Sequence, residues 1–259
     1  MALIQASFMS EALERQVGFT AIIPEGAGKD GSFEPLPTLY LLAGYSGNGF
    51  FWVSHYTVEE LSSELRLAII MPDAENHFYT DDDTFGHGWG RYVGEELVNY
   101  TRQVFPLSRK PEDTLIGGFS MGGYGALLNG LRYRETFGHI VSVSAAILTG
   151  GPGDTDRLGP RENGDRFFRS LFGDPAGVVG SHHDPRAQAE AAVKAGQTPD
   201  IYMAVGKSDF LRDVNEAFRD HLEAVGYPNY LFEEEEGDHD SVFAETHLFR
   251  GIRRAVGKE

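Results

Sequence analysis

Short apolar runs alternate with amphipathic stretches along most of the chain, and this alternation predicts a layered α/β structure. Runs rich in Val, Ile, Leu and aromatic residues, bounded by glycine, proline or polar residues, are typical of buried strands. The predicted strands lie near residues 16–23, 37–43, 67–71, 113–118, 139–144, 200–205 and 229–233. Strands that alternate with helices form a mostly parallel sheet with helices on both faces.

Apolar positions at helical spacing fall between most of these strands. The predicted helices lie at 58–65, 94–105, 122–131, 187–195, 210–225 and 242–256. The chain shows neither an internal repeat nor a linker, so we expect a single domain over residues 1–259. Residues 147–186 interrupt the alternation of strands and helices and predict a short cap or binding insertion. Its large apolar residues, which we expect to form the core of the cap rather than ligand contacts, are Phe167, Phe168, Leu171 and Phe172.

The segment GGFSMGG at 117–123 places Ser120 in a GxSxG pentapeptide between a predicted strand and a predicted helix. This is the context of a nucleophile elbow, in which a tight turn exposes the serine hydroxyl. Gly118 and Gly122 suit such a turn because side chains there would collide with neighbouring backbone. The pentapeptide alone is a weak signal, since it also describes an ordinary glycine-rich turn. It gains weight if an acid and then a histidine follow it.

Both partners occur downstream, each just after a predicted strand. Asp209 follows the strand near 200–205, and His239 lies between the strand near 229–233 and the last helix. A carboxylate on the far ring nitrogen would fix the tautomer of His239, which could then accept the Ser120 proton. We therefore predict a catalytic triad of Ser120, Asp209 and His239, which is suited to acyl transfer. Asp209 has a compatible second role as a cap of the helix that begins near Phe210.

Other acids and histidines fit these roles less well. Asp213 lies inside a predicted helix, and Asp238 and Asp240 are too close to His239 in sequence to hold its ring from behind. Asp240 suits the cap of the last helix. Of the 9 histidines, those expected to be structural or solvated include His182, His183, His221 and His247. His87, between two glycines, is a candidate substrate contact.

The strand near 37–43 breaks into the glycine-rich loop AGYSGN at 43–48. In hydrolases with a GxSxG elbow, such a loop supplies one backbone N–H of the oxyanion hole, and the residue after the nucleophile supplies the other. We assign these donors to Tyr45 and Met121. The aromatic-rich loop 72–92 should lie beside the oxyanion loop. Predicted substrate contacts are therefore Gly44, Tyr79 and Trp89.

Composition narrows the class of protein. The chain has 259 residues, of which 41% are hydrophobic, enough for one large core. Its 22 basic and 39 acidic side chains give a net charge of −17, which argues against nucleic acid or an anionic membrane as a partner. The absence of cysteine excludes a thiolate nucleophile and disulfides.

We expect a cytoplasmic protein, because the N-terminus lacks a basic and then apolar signal and no segment reaches about 18 uninterrupted apolar residues. Secretion with a removed signal stays open. We predict no metal and no cofactor, since neither the EF-hand spacing nor an HExxH pattern occurs. The acidic and histidine groups at 81–83, 182–184 and 238–240 are weak ligand sets. The expected partner is a small-molecule ester, and a homo-oligomer is left open.

Several segments together resemble the esterase D-like branch of the α/β-hydrolases, and within it the tributyrin esterase and acetylesterase group. The resemblance covers nearly the whole chain. It is carried by LYLLAGYSGN (39–48), AIIMPDAENHFYTD (68–81), GGFSMGGYGALL (117–128), AVGKSDFL (204–211) and EGDHDSVF (236–243). It implies an α/β-hydrolase fold with a short cap and short-chain carboxylester hydrolysis. It also implies Ser120, Asp209 and His239 as the triad.

The chain departs from this family pattern at two places. The family usually has a histidine before the glycine of the oxyanion loop, where this chain has Ala43, and relatives commonly have a tryptophan after the catalytic histidine. Thioester hydrolysis, as in S-formylglutathione hydrolases, and acyl transfer to another alcohol use the same groups and stay open as alternatives. So do acetylated or feruloylated carbohydrates as substrates. A catalytically silent binding protein of the same fold is the non-enzyme alternative.

Overall fold

The computed structural model describes residues 1–25, 34–82, 86–148 and 164–258, and within them eight strands form one sheet. The strands are β1 (Ala2–Ser10), β2 (Arg15–Ile23), β3 (Thr38–Leu42), β4 (Ala68–Pro72), β5 (Thr114–Phe119), β6 (His139–Val143), β7 (Asp200–Gly206) and β8 (Tyr230–Glu235). All seven predicted strands are confirmed, each within two residues at either end.

The order of strands across the sheet is β1-β2-β4-β3-β5-β6-β7-β8. From β4 to β8 all neighbours are parallel, whereas β2 runs antiparallel to both β1 and β4. Parallel strands end at the same edge of a sheet. The loops that follow β3, β4, β5, β7 and β8 therefore meet at one edge, with β5 near the centre, and this is where such sheets bind their ligands.

Helices cover the sheet between the strands. They are α1 (Phe51–His55), α2 (Val58–Leu65), α3 (Trp89–Arg91), α4 (Leu97–Val104), α5 (Met121–Arg132), α6 (Gly164–Phe172), α7 (Pro185–Ala195), α8 (Arg212–Ala224) and α9 (Ser241–Ala255). The six predicted helices are confirmed, and a π-helical segment, Tyr92–Glu96, joins α3 to α4. The helix predicted from residue 210 begins at Arg212 instead. None of the helices in the described ranges is long and apolar enough to cross a membrane.

The buried strands have apolar side chains on both faces, which is why they appear in the sequence as continuous apolar runs. On β3, Leu39 and Leu41 pack in one core with α1, α2 and α9, while Tyr40 and Leu42 pack in the other core with α4, α5 and α8. These four side chains are at most 1% exposed. The sheet is thus held rigidly between two apolar layers, which fixes the edge from which the loops emerge.

The strand β1 was not predicted. It forms a hairpin with β2 at the edge of the sheet and alternates between exposed residues and half-buried Ile4, Ala6 and Phe8. Phe8 stacks on Tyr100 with 4.2 Å between ring centroids. Because only one face of β1 is covered, its sequence lacks the apolar run that marks the central strands.

Candidate active site

Ser120 lies on a tight turn between β5 and α5, with φ 59° and ψ −117°. A positive φ is unfavourable for any residue other than glycine and occurs mostly where the surrounding structure enforces it. Three backbone hydrogen bonds hold this turn. The Ser120 N–H donates to the Val143 carbonyl at 3.0 Å, and the Ser120 carbonyl accepts from Tyr124 at 3.1 Å and Ala146 at 3.0 Å. The predicted strand–serine–helix turn is therefore present.

The two glycines of the pentapeptide are required by close backbone contacts. A Cβ on Gly118 would lie 2.5 Å from the carbonyl of Gly122, and a Cβ on Gly122 would overlap the carbonyl oxygen of Leu42. The start of α5 therefore packs directly on the ends of β3 and β5, with no room for a methyl group. This contact directs the amino end of α5 toward the serine.

The three predicted catalytic side chains lie in one hydrogen-bonded row. His239 Nε2 is 3.0 Å from Ser120 Oγ, and His239 Nδ1 is 2.9 Å from Asp209 Oδ2 and 3.1 Å from Oδ1. The Asp209 carboxylate is fully buried, and its Oδ1 also accepts from the Leu211 N–H at 2.8 Å. An ionised carboxylate only accepts, so Nδ1 carries the ring hydrogen and Nε2 presents a lone pair to the serine hydroxyl. This arrangement suits proton transfer from Ser120.

The loops after β7 and β8 run side by side, which brings Asp209 and His239 together. The Lys207 N–H donates to the Glu235 carbonyl, and the Ser208 N–H donates to the Gly237 carbonyl, both at 2.9 Å. A Cβ on Gly206 would lie 2.5 Å from the Gly237 oxygen, so this approach depends on a glycine. The pairing of β7 with β8 thus continues past the end of the sheet into the site.

The rival carboxylates have structural roles. Asp240 caps α9, because its Oδ1 accepts from the Phe243 N–H at 2.9 Å, as predicted. Asp238 accepts from the backbone N–H of His239 rather than from its ring. Asp213 lies in the first turn of α8. Asp209 is therefore the carboxylate that contacts the imidazole.

Ser120 opens into a cavity of about 320 Å³ with mostly apolar walls. The wall residues include Phe51, Phe78, Phe119, Met121, Leu148 and Phe210. Gly44 and Tyr45, from the loop after β3, line the cavity as well, and a Cβ on Gly44 would lie 3.6 Å from the Ser120 Cβ. Pockets of about this volume with apolar walls and a few polar groups are typical of small-molecule sites.

The backbone of Met121 and the loop after β3 flank the serine. Met121 is the first residue of α5, so its N–H is among the four amino-terminal donors that have no acceptor within the helix. The register of β3 with β5 pairs Leu42 with Gly118, which brings Tyr45 to the serine side of the sheet edge. This geometry is compatible with the predicted oxyanion hole.

Comparison with known proteins agrees with this site. The model of the Esterase family matches residues 10–250. An acetyl esterase from Caldicellulosiruptor saccharolyticus is 38% identical over 253 residues, which cover 94% of each chain. The chain belongs to the Esterase family. The match runs through every strand of the sheet from β2 to β8, so it includes the three loops that carry Ser120, Asp209 and His239.

Solved structures share the fold of this esterase. An S-formylglutathione hydrolase from Staphylococcus aureus superposes with a TM-score of 0.85 at 31% identity, with 98% of each chain covered. A fluorophosphonate-binding serine hydrolase F from the same organism gives a TM-score of 0.87, also at 31% identity and 98% coverage. The esterase therefore has the α/β-hydrolase fold and is a serine carboxylic ester hydrolase.

Two aromatic side chains that the sequence analysis missed lie on the imidazole of His239. The ring centroids of Phe119 and Phe210 are 4.5 Å and 4.7 Å from that of His239, with interplanar angles of 30° and 56°. They restrict the ring to the orientation in which it contacts both Ser120 and Asp209. Their position in sequence, directly before Ser120 and directly after Asp209, was the available signal.

Of the predicted substrate contacts, Gly44 lines the cavity, whereas Tyr79 and Trp89 do not. Tyr79 is 1% exposed, and its hydroxyl donates to the Ala43 carbonyl at 2.8 Å. Burial raises the pKa of Tyr79, so the hydroxyl stays protonated and can donate. Trp89 is 2% exposed and stacks on His77. The sequence showed aromatic residues in this loop but not that Phe78, next to Tyr79, is the one on the cavity wall.

Ala43 itself is 1% exposed at the base of the loop after β3. It occupies the position at which the family resemblance implies a histidine. A Cβ on Gly47 would lie 2.8 Å from the Ala43 Cβ, so the loop turns tightly over the alanine methyl group. The Tyr79 hydroxyl anchors the Ala43 carbonyl from below. The loop therefore has direct support in this esterase without a histidine at position 43.

Helix α6 brings part of the predicted insertion against the site. Phe168, Leu171 and Phe172 are at most 4% exposed and join the main core, which confirms the core interpretation for these three. Phe167 is half-buried and contacts the rings of Tyr45 at 5.8 Å and Phe78 at 6.4 Å. Residues 149–163 of the insertion lie outside the described residues.

The acidic residues at 81–83 have partners of their own where they are described. Asp81 forms a salt bridge with Arg132 at 2.5 Å and accepts from the Arg91 N–H at 2.9 Å. Asp82 pairs with His87 at 2.9 Å. Asp83 lies outside the described residues. Asp81 thus ties the loop after β4 to α5, which supports the wall of the site.

Proposed function

We propose that this esterase hydrolyses short-chain acyl esters of small molecules, acetyl esters above all, through a covalent acyl-enzyme. The observation that carries the proposal is the row from Asp209 through His239 to Ser120, which ends in an apolar cavity large enough for a short acyl group. The acetyl preference is supported by the acetyl esterase that is 38% identical over most of the chain.

In this mechanism Ser120 Oγ attacks the ester carbonyl while His239 Nε2 accepts its proton. The backbone N–H groups of Tyr45 and Met121 stabilise the oxyanion, and each such donor is typically worth about 100-fold to 1000-fold in turnover. The buried Asp209 carboxylate stabilises the imidazolium. His239 then protonates the leaving alkoxide. Finally it activates a water molecule that releases the acid and restores Ser120.

The first test is hydrolysis of p-nitrophenyl acetate, butyrate and octanoate by the wild type and by Ser120→Ala. We expect turnover that favours acetate or butyrate and that falls by roughly four to six powers of ten in the variant. Ser63→Ala, at an exposed position on α2, is the matched control and should leave the rates unchanged. Equal rates in wild type and Ser120→Ala would show that Ser120 is not the nucleophile.

Thioester hydrolysis is the second candidate, because one of the two structural relatives with 31% identity is an S-formylglutathione hydrolase. Its test is the ratio of kcat/KM for S-formylglutathione to that for p-nitrophenyl acetate. A ratio above about 100 would show that the preferred substrate of this site is a thioester and not an oxygen ester. We expect a ratio below one.

A further inference from the structure

Asn215, on α8, is a fully buried polar side chain to which the proposed mechanism gives no role. It lies at helical spacing with buried Phe218 and Leu222, a position at which packing alone would favour an apolar residue. A buried amide is unfavourable unless its polar atoms are paired. The Asn215 Oδ1 accepts from the Ala145 N–H at 3.1 Å, and its Nδ2 donates to the carbonyls of Ala145 at 2.9 Å and Leu211 at 2.8 Å.

One end of this amide lies on the segment that supports the serine turn. Ala145 follows β6 and packs on the first turn of α5, since a Cβ on Gly123 would lie 3.1 Å from the Ala145 Cα. The Val143 carbonyl accepts from the Ser120 N–H, and the Ala146 N–H donates to the Ser120 carbonyl, both at 3.0 Å. This segment and the serine turn therefore form one unit that is held by backbone contacts of its own.

The other end of the amide holds the loop that bears Asp209. The Leu211 carbonyl accepts from the Asn215 side chain at 2.8 Å and from the Asn215 backbone N–H at 3.2 Å. The Leu211 N–H donates to Asp209 Oδ1 at 2.8 Å, and the same carboxylate contacts His239 Nδ1. Asn215 thus acts on the carboxylate through a single residue, Leu211.

The loop after β7 is joined to its two neighbours in different ways. Toward β8, backbone hydrogen bonds join the loops at Lys207 and Ser208, which precede Asp209. Toward β6, the paired register extends along β7 to Ala204. Beyond that point the Asn215 amide pairs with the backbone of the segment after β6. A side chain therefore supplies, after Asp209, a connection of the kind that the backbone supplies before it.

We propose that Asn215 is a positioning residue of this esterase, which fixes the Asp209 carboxylate relative to Ser120. The inference rests on the proposed ester hydrolysis, and Asn215 touches neither substrate nor reacting atoms. The His239 ring must reach both partners, at 3.0 Å from Ser120 Oγ and 2.9 Å from Asp209 Oδ2. Because the serine turn is held by its own backbone contacts, loss of the amide releases the loop that bears Asp209. His239 then loses its carboxylate or moves with it away from the serine.

The first variant is Asn215→Leu, which keeps the branched shape of the side chain and removes its hydrogen bonds. The readout is kcat for p-nitrophenyl acetate per active site, with the sites counted by fluorophosphonate titration so that unfolded protein does not contribute. We expect kcat to fall about 10-fold to 100-fold, the size expected when proton-transferring groups are displaced by up to about 1 Å. KM should change less than about twofold, because the amide does not contact substrate.

Thr101→Val, on α4, is the matched control. Thr101 is also fully buried, and its hydroxyl pairs with the Tyr40 hydroxyl at 2.8 Å and donates to the Leu97 carbonyl at 2.7 Å, outside the cavity. The loss of these hydrogen bonds should lower the free energy of unfolding, as in Asn215→Leu. It should nevertheless leave kcat per active site within about twofold of the wild type.

Asn215→Ala is a second variant for the case in which Asn215→Leu does not fold. Its smaller side chain leaves room for water at the freed backbone groups, and alanine favours the helix. We expect kcat per active site to fall about threefold to tenfold, the equivalent of one lost hydrogen bond.

A double-mutant cycle separates positioning from a general effect on the fold. Its readout is the rate at which a fluorophosphonate labels Ser120, followed by intact mass, because slow labelling can be measured over long times. Asn215→Leu should slow labelling about 10-fold to 100-fold in the wild type but less than about threefold in Asp209→Asn, where the carboxylate that it positions is gone.

A kcat per active site within about threefold of the wild type, in Asn215→Leu or, if that does not fold, in Asn215→Ala, would overturn the proposal. Equal slowing of labelling in the two backgrounds would also overturn it. In both cases the esterase activity of the wild type would stand. Failure of the proposed function has a separate signature: the wild type would hydrolyse no p-nitrophenyl ester, and Ser120 would not be labelled. That result would overturn both proposals.

Discussion

The serine turn and the two loops that bear Asp209 and His239 reach the same site by different routes. The turn is local: strand, glycines, serine and helix are consecutive, and direct backbone contacts determine its shape. By contrast, His239 lies 119 residues from Ser120 in sequence and 30 residues from Asp209. Only the order of β5, β7 and β8 in the sheet brings them together. The shape of the serine turn thus depends on the local backbone, whereas the position of the His239 ring depends on tertiary packing.

The largest loss of activity is expected for Asp209→Asn, which tests the packed loops. This variant keeps the shape of the loop and removes the charge. An amide can donate to Nδ1 and so favour the wrong tautomer of His239. We expect kcat for p-nitrophenyl acetate to fall on the order of 1000-fold to 10,000-fold. Asp240→Asn, the cap of α9, is the control and should keep kcat within about threefold. Similar losses in the two variants would show that Asp209 acts only as a structural residue.

The local side of the comparison is tested by Gly122→Ala, which places a methyl group against the Leu42 carbonyl. We expect a loss of about 1–3 kcal/mol in the free energy of unfolding, measured in urea. Displacement of the turn should also lower kcat about 100-fold. Gly177→Ala has open space around the new methyl group and should change neither quantity. A Gly122 variant that behaves like this control would refute the close contact.

Phe210→Leu tests how precisely the imidazole must be held. The ring is 51% exposed, so its loss should not affect stability much. We expect kcat to fall about twofold to fivefold, because an aromatic face stabilises the imidazolium by about 0.5–1 kcal/mol at an exposed site. Phe50→Leu, at a ring that is 40% exposed and outside the cavity, is the control. An unchanged kcat would mean that Phe119 and Asp209 orient His239 without help from Phe210.

An effect of the same size is expected for Tyr79→Phe, which removes the hydrogen bond to the Ala43 carbonyl beneath the loop after β3. We expect kcat to fall about twofold to fivefold and KM to stay the same, since the hydroxyl does not reach the cavity. Tyr92→Phe removes another tyrosine hydrogen bond to a carbonyl, that of Gly18, and should leave kcat unchanged. A change confined to KM would restore Tyr79 as a substrate contact.

The central strands and the long helices could be predicted because their residues are buried on a regular period. The seven strands from β2 to β8 each contain an apolar run, and α2 was predicted at its observed bounds, Val58–Leu65. The sequence analysis missed edge strand β1 and helix α1 for different reasons. One is covered on a single face, and the other, at five residues, is too short to show a helical period.

The site shows the same division. The sequence pointed to Ser120, Asp209 and His239 because each follows a recognisable strand. It could not rank the aromatic residues of the loop after β4, because their roles depend on which way each side chain faces. Phe78 and Tyr79 are neighbours, and both have φ 54°, yet one lines the cavity and the other supports Ala43 from the core.

By itself, the sequence determined the layered fold, the strained serine turn and the order of Ser120, Asp209 and His239 along the chain. These follow from burial patterns and from glycines that act within a few residues of their position. Only the tertiary structure decided which aromatic rings hold His239, which tyrosine supports the loop after β3, and that Phe78 rather than Tyr79 lines the cavity. Those features are contacts between distant loops, and their geometry exists only once the sheet has set the distances between the strand ends.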